Sequence, residues 1–194
     1  MVKVLIADDH PLFRLGLAMA LGLEGFEVTG EAENGRQAVE RCRGGGVDVV
    51  LMDVKMPDMD GIEACRRICA SEPAPAVVML TTFEEAGLQL AAREAGATAF
   101  LSKETEPREL ARLLRAILDD PEREWMPRVE LPRLTPREAQ TLALMAAGLS
   151  NKAIAKELQI SPETVKDYLQ GAFRKLEVRD RVSAARRAAE LGLI

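Results

Sequence analysis

Short apolar segments alternate with amphipathic segments five times along the first 119 residues, and this alternation strongly restricts the possible folds. The apolar runs are typical of strands buried on both faces; they cover residues 2–7, 26–31, 47–53, 76–81 and 98–101. The other segments have apolar residues at helical spacing; they cover residues 12–23, 36–42, 62–69, 84–95 and 108–118. The sequence therefore predicts an α/β domain, a five-stranded doubly wound parallel sheet with helices on both faces.

The alternation stops after residue 119. Pro121, Pro127 and Pro132 interrupt any helix there, and charged residues dominate, which predicts a linker over residues 120–133. Every later segment is typical of a helix; these segments cover residues 135–147, 150–158, 161–176 and 181–191. We therefore predict domains over residues 1–119 and 134–194, the second a small all-α four-helix domain.

The composition is that of a globular protein, with 47% hydrophobic and 29% charged residues. No apolar run approaches the roughly 18 residues of a membrane span, and the first residues lack the apolar segment of a signal peptide. We therefore expect a cytoplasmic protein.

The three cysteines, Cys42, Cys65 and Cys69, are expected to be reduced thiols, because their number is odd and no export signal is present. Cys65 and Cys69 are four residues apart and would share a helix face. The only histidine, His10, is distant in the sequence, so packing is favoured over a zinc or redox site.

Charge is divided unevenly between the two halves of the chain. Residues 1–120 contain 13 basic and 21 acidic residues, whereas residues 121–194 contain 13 basic and 10 acidic residues. The acidic half suits a metal ion or a basic partner, and the mildly basic half permits nucleic-acid binding.

Polar residues follow the predicted strands at their carboxyl ends, where doubly wound sheets bind ligands. Asp8 and Asp9 follow the first strand, Asp53 ends the third, Thr81 ends the fourth and Lys103 follows the fifth. If the first and third strands are neighbours, three carboxylates converge, and a hard divalent cation such as Mg²⁺ would relieve their repulsion. The Thr81 hydroxyl and the Lys103 ammonium group suit a phosphoryl group.

This set of residues resembles the signature of response-regulator receiver domains over essentially all of residues 1–119. The resemblance rests on Asp8-Asp9, Asp53 followed by Met56-Pro57 and Asp60-Gly61, Thr81, and Phe100 before Lys103. It implies a flavodoxin-like receiver that a sensor histidine kinase phosphorylates on Asp53. The implied roles are catalysis by Asp53, Thr81 and Lys103, Mg²⁺ binding by Asp8, Asp9, Asp53 and the main-chain carbonyl of Lys55, and switching by Thr81 and Phe100.

The second and third predicted helices of the all-α domain are separated by a tight turn around Gln159 and Ile160, the layout of a helix-turn-helix. On the third helix we expect a buried side; it comprises Val165, Leu169, Ala172 and Leu176. We expect Lys166, Asp167, Gln170 and Arg174 to face outward. Lysine suits guanine or phosphate, and glutamine suits adenine.

The motifs of residues 134–138, 148–155, 164–166 and 174–176 resemble the LuxR-type DNA-binding signature, and with the receiver they resemble the NarL/FixJ class. This resemblance implies a transcriptional regulator that binds double-stranded promoter DNA and pairs as a homodimer when phosphorylated or DNA-bound. The implied DNA-binding residues are Thr164, Lys166, Asp167, Gln170, Arg174 and Lys175, and the implied dimerisation residues are Val182, Ala185 and Ala189.

Two residues depart from that pattern. Asp167 places a negative charge where a neutral residue is common, and Gly171 in mid-helix costs about 1 kcal/mol relative to alanine. Asp167 could accept a hydrogen bond from a cytosine amino group, repel the DNA backbone, or pair with Arg174.

Two other functions share part of this residue pattern. Phosphatases of the haloacid dehalogenase type also use a strand-end aspartate, but they need Asp-x-Asp where this chain has Asp8-Asp9-His10. A receiver that acts without phosphate would not need the pocket residues that are present. We therefore expect a protein that is not an enzyme, beyond promoting its own aspartyl phosphorylation and dephosphorylation.

Overall fold

A computed structural model describes residues 1–82, 86–128 and 131–194. The chain divides into two compact units, residues 1–84 with 88–128 and residues 129–194 with 85–87, and each has its own hydrophobic core. Among the described residues no helix has the length and apolar character needed to cross a membrane.

The first unit is a five-stranded parallel sheet flanked by helices, which confirms the predicted architecture. Its elements are β1 (Lys3–Ala7), α1 (Pro11–Leu23), β2 (Glu27–Ala32), α2 (Gly35–Arg43), β3 (Val49–Met52), α3 (Gly61–Cys69), β4 (Ala76–Thr81), α4 (Ala86–Glu94), β5 (Ala99–Ser102) and α5 (Pro107–Asp119). The strand order is β2-β1-β3-β4-β5. The predicted start of the fourth helix, Glu84, lies outside the described residues.

Both faces of this sheet are buried because each strand supplies apolar side chains to both. Leu5 and Ile6, neighbours on β1, are each 1% exposed and belong to separate core clusters. The residues of β3 alternate between the clusters in the same way. Since β1 and β3 are paired, with Ala7 opposite Met52, the residues that follow these two strands lie side by side at one edge of the sheet.

Part of the segment predicted to be a linker packs on the first unit. Trp125 forms an isolated bridge with Ala99 of β5, and Met126 is 6% exposed within a core cluster. Arg93 donates hydrogen bonds to the Glu124 carboxylate and to the main-chain oxygen of Pro127. The first unit therefore includes ordered chain beyond α5.

The second unit is all helical, as predicted, with α6 (Pro136–Ala146), α7 (Asn151–Leu158), α8 (Pro162–Lys175) and α9 (Arg181–Glu190). Thr135 and Glu138 form a capping box at the start of α6, and Ser161 accepts a hydrogen bond from Thr164 N at the start of α8. Gln159 ends α7 in the left-handed conformation. This short turn gives α7 and α8 the connection of a helix-turn-helix.

Candidate functional site

The carboxylates of Asp8, Asp9 and Asp53 converge at the carboxyl edge of the sheet, as the sequence predicts. Asp53 N donates to Ala7 O at 2.8 Å, which holds the start of the loop after β3 against β1. Asp8 is 2% exposed and Asp53 is 6% exposed. One side-chain ligand atom from each of Asp8, Asp9, His10 and Asp53 lies within 4.8 Å of the others.

Lys103 provides the positive charge of this cluster. Its Nζ lies 2.6 Å from Asp8 Oδ2 and 2.8 Å from Asp53 Oδ2, and the Lys103 side chain is 10% exposed. Lys103 N donates to Thr81 O at 2.9 Å, so pairing between β4 and β5 positions the residue. One ammonium group thus balances part of the charge of two buried carboxylates.

The surroundings shift the pKa values of the paired residues Asp53 and Lys103. Burial raises the pKa of Asp53 and the charge of Asp8 adds to that, although hydrogen bonding to Lys103 acts in the opposite direction. Burial alone would lower the pKa of Lys103, but its hydrogen bonds to Asp53 and Asp8 outweigh burial and raise it. Lys103 therefore remains cationic at neutral pH and is available to a bound anion.

His10 also belongs to the cluster. It is the N-cap residue of α1, and its backbone N donates to Asp8 Oδ1 at 2.9 Å. Its ring Nδ1 lies 2.8 Å from Asp9 Oδ1 and 3.2 Å from Asp8 Oδ1. Asp8 therefore accepts a backbone hydrogen bond at the start of α1 in addition to its contact with Lys103.

Sequence reasoning missed Arg14, which holds the main chain beneath the cluster. The residue is 6% exposed, and its Nη1 donates to Asp8 O at 2.6 Å. Its other nitrogens donate hydrogen bonds to the carboxylates of Glu31, near the end of β2, and of Glu33, just after β2. The only signal in the sequence is a lone arginine within the otherwise apolar run of α1.

A cleft of about 580 Å³ opens onto the cluster; its lining includes Asp9, Phe13, Asp53, Lys55, Thr82 and Lys103. Thr81 is completely buried at the end of β4, and the exposed Thr82 is the threonine that lines the cleft. Phe100 is 6% exposed and packs in a core cluster. The structure therefore places Asp53, Lys55 and Lys103 at the cleft, and it buries the side chains of Thr81 and Phe100.

The carboxylate cluster suits a hard divalent cation. Its donors are carboxylate oxygens, and two of the three carboxylates are buried. The single positive charge of Lys103 does not balance the three negative charges of these carboxylates. Mg²⁺ prefers oxygen ligands and is usually held by one or two carboxylates together with phosphate oxygens. Asp8, Asp9 and Asp53 could hold such an ion, and Lys55 is close enough to line the same cleft.

In the second unit, α8 has the two sides that the sequence predicts. Val165, Leu169, Ala172 and Leu176 are buried, and Lys166, Asp167, Gln170 and Arg174 are exposed. Among the described residues Asp167 forms no ion pair, so pairing with Arg174 is not observed. The exposed side of α8 therefore offers two cations, an anion and an amide to a ligand.

The two ends of α8 are tied into the unit. The Thr164 hydroxyl lies 2.9 Å from the Ser161 hydroxyl at the start of the helix. Near the end, Lys175 Nζ lies 2.6 Å from Glu138 Oε2. Thr164 and Lys175 are thus engaged within the protein.

Gly171 accommodates the buried carboxylate of Glu138, a relationship that sequence reasoning missed. Glu138 is 7% exposed, and an added Cβ on Gly171 would lie 2.5 Å from Glu138 Oε1. Burial would raise the Glu138 pKa, but the hydrogen bonds from Lys175 and Thr135 outweigh burial and lower it. The mid-helix glycine therefore has a packing reason.

The residues expected to pair two subunits lie on α9. Val182 is 79% exposed and Ala189 is exposed. Ala185 is half-buried and packs against the core of the unit. Val182 and Ala189 are accessible to a partner.

Comparison with known proteins matches both units to families. The family of the response regulator receiver domain matches residues 4–115, and bacterial regulatory proteins of the luxR family match residues 132–188. Response regulator UvrY of Escherichia coli (strain K12) is 34% identical over 212 residues, which cover 100% of this chain and 96% of UvrY.

Solved structures give the same result. The RcsB response regulator of Salmonella typhimurium matches with a TM-score of 0.84 and 26% identity, covering 97% of this chain and 100% of that one. RcsB bound to promoter rprA in the presence of phosphomimetic BeF3⁻ matches with a TM-score of 0.63 and 26% identity, covering 97% and 99% of the two chains.

Proposed function

Because the chain belongs to the NarL/FixJ class of two-component response regulators, with a receiver domain and a LuxR-type DNA-binding domain, we propose that phosphorylation of Asp53 controls its binding to promoter DNA. Members of this family are transcriptional regulators rather than catalytic enzymes in the usual sense. The observation that supports Asp53 as the phosphorylated residue is its position. It is buried beside Asp8 and paired with Lys103 at a cleft open to solvent.

The proposed reaction transfers a phosphoryl group from the histidine of a sensor kinase to an Asp53 carboxylate oxygen. Mg²⁺ held by Asp8, Asp9, Asp53 and the main-chain carbonyl of Lys55 would supply charge neutralisation for the phosphoryl oxygens. Lys103 Nζ, which lies 2.8 Å from Asp53 Oδ2, exchanges this contact for one with a phosphoryl oxygen, and the side chain needs only a short movement to do so. The Thr81 hydroxyl donates to another phosphoryl oxygen, which requires Thr81 to leave its buried position.

The proposed switch joins Thr81 to Phe100. Movement of Thr81 toward the phosphoryl group vacates space at the end of β4, and the neighbouring β5 carries Phe100, which is paired with Met79 of β4. Repacking of these side chains would alter the surface formed by α4, β5 and α5. A packed core favours discrete arrangements over gradual ones, so such a change would act as a two-state switch.

For DNA binding we propose that α8 enters the major groove. Gln170 would contact a base, while Lys166, one turn earlier and also exposed, and Arg174 would contact phosphate. Thr164, Asp167 and Lys175 complete the proposed DNA-contacting set. A homodimer formed through Val182, Ala185 and Ala189 would place two such helices on adjacent half-sites.

We place the receiver at residues 1–119, the linker at 120–133 and the DNA-binding domain at 134–194, and we expect the protein to act in the cytoplasm. Trp125 and Pro127 of this linker contact the first unit.

The test compares the wild-type chain with Asp53→Asn and with the control Asp58→Asn, which alters an exposed aspartate outside the carboxylate cluster. Acetyl phosphate and Mg²⁺ should add one phosphoryl mass to the wild type and to the control but not to Asp53→Asn. Footprinting on genomic promoter fragments should show protection that increases with the phosphate mimic BeF3⁻. A phosphoryl adduct on Asp53→Asn, or footprints that do not respond to BeF3⁻, would contradict the proposal.

A further inference from the structure

The segment that follows α5, residues 120–127, returns to one edge of the sheet. β5 is the last strand in the sheet order, and Trp125 forms a parallel bridge with Ala99 of β5. An edge strand presents unpaired backbone groups, and this segment, which we call the strap, covers part of that edge. The strap therefore lies beside β5 as an additional edge segment.

Neighbouring side chains of the strap face opposite sides of the sheet, as they would in a strand. Trp125 is half-buried and packs against the core cluster that contains Ala99. The buried Met126 belongs instead to the core cluster that contains Phe100. Met126 therefore shares a core with the residue proposed as the switch.

The side chain of Thr81 faces the same side of the sheet. Met79 of β4 belongs to the cluster of Phe100, and Leu80 belongs to the other cluster. Thr81 follows Met79 by two residues and is completely buried, so the alternation along β4 returns it to the side of Met79. Thr81, Phe100 and Met126 thus lie on one side of the sheet, on β4, β5 and the strap.

Arg93 of α4 holds the strap by three main contacts. Its Nη1 lies 3.0 Å from Glu124 Oε1, and its Nη2 donates to Pro127 O at 3.1 Å and to Met126 O at 3.5 Å. Of the strap residues, all of which the structure describes, only Met126 is buried. Segments with few buried contacts open locally at a low free-energy cost. The strap therefore depends on Arg93 and on the core around Met126.

We propose that phosphorylation of Asp53 detaches the strap from β5, an inference that rests on the proposed function. When Thr81 moves toward the phosphoryl group, the Phe100 ring moves into the vacated space and withdraws from the core that holds Met126. Side chains that line a void lose packing contacts, so Met126 is held less tightly and the strap leaves the edge of the sheet.

Detachment changes the chain that joins the two units. With the strap in place, residues up to Pro127 are bound to the first unit, whereas after detachment the bound part ends with α5 at Asp119. A longer joining chain spans a greater distance. The second unit can then reach more positions, including those in which two α8 helices meet adjacent half-sites.

The experiment measures acrylamide quenching of Trp125, the single tryptophan, in the full chain with Mg²⁺ present. BeF3⁻ should increase the quenching constant by at least about twofold, because detachment exposes an indole that packs on the core. Asp53→Asn should not respond to BeF3⁻. Arg93→Ala should increase quenching without BeF3⁻. The matched control Arg66→Ala, which removes an exposed arginine paired within α3, should behave like the wild type.

A second measurement uses the wild-type chain alone and does not depend on fluorescence. Trypsin cleavage after Arg123, inside the strap, requires local opening, so BeF3⁻ should accelerate this cleavage about three- to tenfold. Cleavage after Arg43, which is exposed at the end of α2, is the internal control, and its rate should not change. Mass spectrometry of the peptides separates the two sites.

The promoter footprint, measured on the same samples, separates failure of the strap proposal from failure of the proposed function. If the footprint responds to BeF3⁻ but Trp125 quenching and cleavage after Arg123 do not change, the strap proposal is overturned and the proposed function stands. Slower cleavage after Arg123 with BeF3⁻ would show that the strap tightens and would also overturn the strap proposal. Detachment without a response of the footprint would support detachment and contradict the proposed control of DNA binding.

Discussion

The ammonium nitrogen of Lys103 lies 5.0 Å from the centre of the Phe13 ring. The same nitrogen is bound by Asp8 and Asp53, so an aromatic face on α1 forms one wall of the cation's site. A cation over an aromatic ring is stabilised by about 1 kcal/mol, and more where water is excluded. Phe13 therefore helps to hold Lys103 in reach of the phosphoryl group proposed for Asp53.

Phe13→Leu should slow the phosphorylation of Asp53 by acetyl phosphate about three- to tenfold, because it removes the aromatic face and keeps an apolar side chain. Phe13→Tyr retains the ring and serves as the control with a rate close to that of the wild type. The initial rate of the phosphoryl mass shift at saturating Mg²⁺ measures the effect. Equal rates for the leucine and tyrosine variants would show that the ring face has no role.

Asp53→Asn should increase the free energy of unfolding of the first unit by about 1 kcal/mol at neutral pH without Mg²⁺. Burial and the charge of Asp8 raise the pKa of Asp53, so its charged form costs stability above that folded-state pKa. The cost disappears as the pH falls through the raised pKa, so the difference from the wild type should shrink on acidification. Urea unfolding followed by the single tryptophan, Trp125, measures it.

The control for that experiment is Asp58→Asn, which removes an exposed carboxylate from the same loop. Its free energy of unfolding should stay within about 0.5 kcal/mol of the wild-type value. If the Asp53→Asn variant is no more stable than the wild type at neutral pH, burial of the Asp53 charge does not cost stability.

The fold was predictable because its strands are marked twice, by β-branched apolar runs and by the helical segments between them. The predicted limits of β4, residues 76–81, are those observed. The strand-end positions of Asp8 and Asp53 predicted their convergence on the condition that the first and third strands are neighbours, and the pairing of β1 with β3 meets that condition. A period-2 or continuous apolar pattern reports burial on a sheet directly. Positions fixed by this pattern were therefore predicted correctly.

Other features depend on which elements pack together, and local sequence does not contain that information. Arg14 is buried because β2 brings Glu31 and Glu33 to it, and no pattern within α1 indicates those partners. From the sequence, Gly171 is expected to destabilise its helix. In the structure its backbone conformation is ordinary, and its contact with Glu138 comes from the packing of α6 on α8. Tertiary contact overrides propensity at such positions.

Gly171→Ala should destabilise the second unit by about 1 kcal/mol, although alanine is the better helix former. The new Cβ would push against Glu138 Oε1 and shift the carboxylate, whose Oε2 accepts hydrogen bonds from Lys175 and Thr135 N. Loss of one such bond costs about 1.5–3 kcal/mol, which exceeds the roughly 1 kcal/mol that alanine gains as a helix former. In a Glu138→Ala background the same substitution should instead stabilise by about 1 kcal/mol. Amide hydrogen exchange of α8 in increasing urea measures both; the same sign in both backgrounds would contradict this account.

Gln170→Ala and Lys166→Ala should weaken binding to the footprinted promoter in different ways. If Gln170 forms a bidentate contact with an adenine, its loss should cost about 1–3 kcal/mol on the specific site and leave non-specific binding unchanged. Lys166 is exposed one turn earlier, and if it contacts phosphate its loss should weaken binding to all sequences and reduce the slope of log affinity against log salt by about 1. Arg36→Ala removes the same charge from the exposed surface of α2 and should change neither quantity. Titrations of BeF3⁻-treated protein at several salt concentrations separate these effects. Uniform weakening by Gln170→Ala across specific and random DNA would remove it from the base-reading set.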